Sequence, residues 1–223
     1  MAVATRTDEE IKKDVVDQLY WDGRVDASDV KVEVDDGTVT LTGTVPNYTA
    51  YEGADEDAWA MSGVRYVRND LTIKYPPGVK VPEDSKIKEN IENLLLWQPN
   101  IDSTDIDVSV NNGWITLRGS VDAYWKKVRA EALILNLSGV MGITNELAVV
   151  PTEKLMDKAI ADDIEAAMER DFNIDVDLID VKVENGRVTL TGSVPSLPAF
   201  RSVQRIVENT PGVLMFDNEL VIR

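Results

Sequence analysis

Residues 37–45 read GTVTLTGTV, residues 113–121 read GWITLRGSV and residues 186–194 read GRVTLTGSV. Each phrase alternates β-branched or bulky apolar residues with polar ones, which is the two-residue period of a half-buried strand. Each is preceded by Asp36, Asn112 or Asn185, so an Asp-Gly or Asn-Gly pair opens it. Those pairs suit a two-residue type I′ turn, which requires positive φ at both central residues. A second alternating run precedes each turn: Val30, Val32 and Val34, then Ile106, Val108 and Val110, then Ile179, Val181 and Val183. The quoted phrase is therefore the return strand of a β-hairpin, written three times.

The spacing outside the hairpin repeats as well. Gly43, Gly119 and Gly192 stand six residues after the turn glycines. Gly63, Gly139 and Gly212 stand twenty residues further on, each followed by valine, and then come Asn69, Asn145 and Asn218 and finally Leu71, Leu147 and Leu220. The copies are offset by 76 and 73 residues with constant internal spacing. Upstream, Ile11, Val15 and Leu19 recur at helical spacing, matched by Ile87, Ile91 and Leu95 and by Ile160, Ile164 and Met168. A second helix is marked by Ala50, Ala54 and Ala58, by Val128, Ala132 and Leu135, and by Val203, Ile206 and Val207. It ends near the third glycine, where a left-handed cap is cheapest. A last strand covers 64–73, 140–149 or 213–222.

The reading is an α+β chain of three tandem small αββαβ domains, each with two helices packed on a three-stranded sheet. The repeats fall at 1–75, 85–150 and 151–223, with a proline-rich linker at 76–84. At about 70 residues each they are individually marginal, so contacts between repeats are expected.

Composition narrows the function. The 223 residues hold no cysteine and no histidine. This removes disulfides, thiolate metal sites, thiol nucleophiles and serine–histidine catalysis. A net charge of −17 argues against nucleic acid, whose phosphates attract clustered Lys and Arg. No apolar run approaches ~20 residues, so no transmembrane segment is expected. MAVATRTDEEIKK has no secretory pattern, and a cytoplasmic location, peripheral to the membrane where it binds lipid, is the expectation from it.

Acid pairs such as Asp35-Asp36 and Asp162-Asp163 are what 40 acidic residues produce by chance, and they suggest no catalytic site. DFNIDVDLIDVK at 171–182 begins like a calcium loop, but Val176 replaces the turn glycine and Lys182 the closing glutamate. No metal, cofactor or catalytic residue is expected. Asn47-Tyr48-Thr49 has the form of a glycosylation acceptor, a common tripeptide of little weight here.

One stretch breaks the acidic background. In RGSVDAYWKKVRAE, residues 118–131, Arg118, Lys126, Lys127 and Arg129 accompany Tyr124 and Trp125. Residues 78–150 carry 7 basic and 10 acidic groups, against 8 and 16 in residues 1–77 and 8 and 14 in residues 151–223. Amphipathic aromatics beside cations suit the headgroup layer of a bilayer. These six residues are the lipid-contact candidates. The competing reading packs Trp125 into a domain interface. Trp21 and Trp97 match one another just after the first helix, where a structural role is expected.

The αββαβ order, the [DN]-G-x-[VI]-T-L-x-G-x-V hairpin and the G-V-x(5)-N-x-L ending together resemble the BON domain. That resemblance covers nearly the whole chain. It implies a non-enzymatic bacterial binding module tied to osmotic stress and envelope maintenance, contacting phospholipid membrane or an envelope-associated partner. A protein–protein scaffold without lipid is the alternative. Better-known members carry two copies and a secretion signal, so their location is not carried over.

Overall fold

A computed structural model describes residues 6–152 and 155–222. The element order is αββαβ, three times over. The first repeat comprises α1 (Asp8–Trp21), β1 (Val30–Asp35), β2 (Thr38–Val45), α2 (Tyr48–Trp59) and β3 (Tyr66–Ile73). The second comprises α3 (Asp84–Leu96), β4 (Ile106–Asn111), β5 (Trp114–Val121), α4 (Tyr124–Ile134) and β6 (Gly142–Val149). The third comprises α5 (Asp157–Glu169), β7 (Ile179–Glu184), β8 (Arg187–Val194), α6 (Leu197–Asn209) and β9 (Met215–Ile222). The chain divides into two compact units, one centred on residues 6–81 and the other on 82–220, which holds the second repeat and most of the third.

In each sheet the quoted strand lies in the middle. β2 runs antiparallel to β1 and parallel to β3, and β5 does the same between β4 and β6. A parallel neighbour needs a crossover of a dozen or more residues, and α2 and α4 supply it. Alternation then sets the faces. Val39, Leu41, Ile115, Leu117, Val188 and Leu190 are all buried to 1% exposure or less. The first-helix stripes Ile11/Val15/Leu19, Ile87/Ile91/Leu95 and Ile160/Ile164/Met168 are buried to 2% exposure or less.

The second helices correct one expectation. In α4 the buried residues are Ala130 and Ile134, while Val128, Ala132 and Leu135 are half-buried. α4 is apolar on more than one side, because its flank also packs on α6. Periodicity alone therefore chose the wrong face, whereas the repeat register (Ala54, Ala130, Val203) identifies the right one. The last strands begin two residues later than expected, at Tyr66, Gly142 and Met215.

Asp36, Asn112 and Asn185 adopt φ of 45–51° and the following glycines 73–77°, as a type I′ turn demands. Each turn is held from outside. Asp8 accepts from the Asp36 and Gly37 amides, both at 3.0 Å. Asp84 accepts from Asn112 at 2.7 Å and Gly113 at 2.9 Å. Asp157 accepts from Asn185 at 2.7 Å and Gly186 at 2.9 Å. One carboxylate at the first position of each repeat's first helix thus clasps the hairpin tip, and the helix dipole favours a negative charge there.

The repeated asparagines tie the last strand together. Asn69, Asn145 and Asn218 accept from the amide two residues on, at 3.2–3.3 Å. The Nδ2 of Asn69 also donates to the Tyr51 carbonyl on α2 at 3.2 Å, and that of Asn145 to the Lys127 carbonyl on α4 at 2.9 Å. Asn218 Nδ2 is buried without a partner. Asn145→Ala should therefore destabilise its repeat by about 1–2 kcal/mol, and Asn218→Ala by clearly less. Denaturant-dependent hydrogen exchange of β6 and β9 measures both; equal losses would contradict this account.

Candidate functional site

The basic–aromatic stretch divides between two faces of the second repeat. Arg118 lies on the exposed side of the sheet, because the alternation that buries Ile115 and Leu117 against the helices turns Arg118 outward. Its Nε donates to Glu146 on β6 at 2.7 Å. The remaining five candidates sit on α4, on the helix side.

On α4 the environment changes residue by residue. Tyr124 is half-buried, and burial, followed by the charges of Glu208, Asp217 and Glu131, pushes its phenol above the usual range. Two of those acids belong to α6 and β9, so Tyr124 faces the third repeat. Trp125 is half-buried, with Lys126 Nζ 5.6 Å from its ring centroid. Lys126 is 20% exposed and bonds Asp122 across one helical turn at 2.8 Å. Lys127 is half-buried and Arg129 is exposed. A cleft of about 310 Å³ opens beside Tyr124, Trp125 and Lys126, and Thr152, Asn209 and Pro211 close its other side.

Glu208 shows how dry this contact is. It lies on α6 and accepts from Gln204 at 2.8 Å. Burial nevertheless raises its carboxyl above the ordinary value.

The expected structural role for Trp21 and Trp97 does not hold. Each is 80% exposed, and their neighbours Tyr20 and Leu96 are 69% and 68% exposed. Trp21 and Trp97 lie at the ends of α1 and α3, two residues past the last buried position, Leu19 or Leu95, and Tyr20 and Leu96 lie one residue past it. A helix turns about 100° per residue, so Tyr20 and Trp21 have already rotated off the core stripe. The matching positions of α5 hold Glu169 and Arg170. Helical phase carried the signal: a residue one or two places beyond the stripe is turned away from the core. Among the described residues no cluster of acids could hold a metal ion, and no helix is long and apolar enough to cross a membrane.

Three αββαβ repeats, with aromatic side chains exposed at the ends of two first helices, define a tandem-repeat α+β protein. The BON domain family matches residues 7–75, 83–151 and 156–223, and the chain belongs to it. It is 27% identical over 126 residues to the osmotically-inducible protein Y of Escherichia coli K12, across 55% of this chain and 63% of that protein. The match thus spans less than two thirds of that relative. Among solved structures it is similar to CdsD, a structural protein of the type III secretion system of Chlamydia trachomatis. That similarity has 16% identity and a TM-score of 0.26 over 96% of this chain and 92% of the other, and the isolated CdsD C-terminal domain gives 0.27 over 95% and 96%.

Proposed function

We propose that the chain is a non-catalytic binding module linked to osmotic or envelope stress, whose second repeat rests on an anionic phospholipid surface. The link to stress is supported by its family and by the osmotically inducible relative. The observation that carries the lipid reading is the Leu96–Trp97 pair. Two large side chains that the core does not need stand in water at the end of a helix. They belong to the repeat that also carries Trp125, Lys127 and Arg129 and has the smallest acidic excess. Indole rings favour the headgroup layer, and each nearby cation adds on the order of 1 kcal/mol at an anionic surface. Tyr124 faces the third repeat, Lys126 is paired with Asp122, and Arg118 lies on the other face of the sheet.

Co-sedimentation with phosphatidylglycerol and phosphatidylcholine vesicles tests it. The full chain should pellet with the anionic vesicles at low salt and be released at moderate salt. L96A/W97A should abolish pelleting, and K127A/R129A should weaken it. Protein that stays in the supernatant throughout would move the assignment to a protein–protein scaffold. That second reading has its own support in Tyr66, Trp114 and Met215. These half-exposed side chains lie on the outer sheet faces, each at the paired position that starts the parallel ladder of its repeat or matches it.

A further inference from the structure

The two helices of the first repeat meet through polar side chains at a level where the other repeats are apolar. By the repeat register, the positions of Gln18 and Asp57 hold Leu94 and Leu133 in the second copy and Ala167 and Ile206 in the third. The fold does not require a carboxylate here, yet Asp57 is only 5% exposed.

One oxygen of Asp57 accepts from Gln18 Nε2 at 3.0 Å. The other is buried with no hydrogen-bond partner. Leaving a buried charged oxygen without a donor is costly. Beside it stands Asp22, the C-terminal cap of α1, whose side chain is 12% exposed. Arg24 is the cation in this cluster. Its Nη2 lies 2.7 Å from Asp22 and its Nη1 3.3 Å from Glu56 on α2. Arg24 thus pairs with Asp22 and Glu56, and its charge reaches Asp57 without a hydrogen bond.

We infer that Asp57 and Asp22 share one proton and form a latch between α1 and α2, tight while the proton is held and loosened when it leaves. A proton on Asp57 turns the orphaned oxygen into a donor toward Asp22 and removes the buried one of two adjacent charges. The asymmetry fixes where the proton resides. Hydrogen bonds from Arg24 hold Asp22 below the usual carboxylate range. Burial, and then the charge of Asp22, pushes Asp57 up to about 6, against the opposing pull of Gln18 and Arg24.

The sign follows from linkage. Asp57 binds its proton more tightly in the folded than in the unfolded chain. The stabilisation it brings is fully present below the unfolded value of 3.8 and is lost as pH rises through about 6. Asp55, on another side of α2 beside Glu52 and Asn69, is likewise raised to about 6 by burial and adds a slope of the same sign. The first repeat therefore tightens in mildly acidic surroundings and loosens toward alkaline pH.

Hydrogen exchange on the full chain at pH 5.0 and 7.5 reads this out, with α3 and α4 as the reference for α1 and α2. Relative protection of α1 and α2 should fall about tenfold or more at the higher pH. D57N, which keeps the Gln18 contact but cannot titrate, should shrink that fall at least threefold, as should the apolar pair Q18L/D57L. D55N should leave the Asp57 share in place. No fall in the wild type, or an equal fall in D57N, would overturn the latch. A carbon-13 titration of the wild-type Asp57 carboxyl decides it without any variant. A midpoint near 6 supports the latch and one near 4 refutes it.

Discussion

Gly119→Ala should unfold the second repeat while the first stays folded. A Cβ at this position would lie 1.8 Å from the Asp105 carbonyl oxygen, and φ is +119°, a region closed to L side chains. The obstacle is backbone on both sides. Asp105 closes the 3-10 turn Ser103–Asp105 that leads into β4, so relief means displacing β4 from β5. The strained dihedral and the clash together amount to about 3 kcal/mol or more. A domain of ~70 residues is stable by only ~4–10 kcal/mol, so the variant loses much of what it has. Hydrogen exchange should show β4–β6 unprotected, with β1–β3 close to wild type. Gly43 and Gly192 face the same collision at 2.0 and 2.1 Å, so alanine at either should unfold its own repeat.

The second large effect is expected from Asp84→Ala. That carboxylate takes two charge-assisted bonds, at 2.7 and 2.9 Å, and Gly113 is buried, so no water replaces the second. Bonds to a charged acceptor contribute more than neutral ones, and a buried amide left unpaired carries its own penalty. The loss should be about 2–3 kcal/mol, read as lost protection at the β4–β5 hairpin and the first turn of α3. Asp84→Asn, which keeps one acceptor oxygen, should recover part of it. Full recovery would show that the negative charge contributes nothing at the helix end.

These two positions mark what a reader of the sequence could and could not see. Gly119 was visible as a repeated letter, but its reason lies in the Asp105 carbonyl, fourteen residues away in the chain. Asp84 looks like any acid at a helix start, and only its partners across 28 residues distinguish it. The element order, hairpin turns and the first-helix stripes were legible because local periodicity and turn chemistry encode them; the central place of β2 in its sheet and its parallel pairing with β3 were not read from the sequence. The core face of α4 was not, because a helix that packs on two neighbours has no single apolar stripe. The candidate site was half legible. Composition pointed to the second repeat and to α4, but not to the division of Arg118 from the rest. Nor did it reveal that Leu96 and Trp97 stand free of the core. Asp57 was hidden among 40 acids, and burial rather than sequence sets it apart.

The aspartate clasp also works as a ruler. It closes between atoms 28 residues apart in all three copies, so a single insertion or deletion inside that span would pull helix and turn out of reach. The two offsets, 76 and 73, differ by three residues, and all three lie in the joins between copies. Duplication has kept the measured segments and let only the spacers drift. For the experimenter this marks where foreign sequence is tolerated. The exposed join at 76–81 can accept a label or a fused peptide without disturbing any of the three rulers.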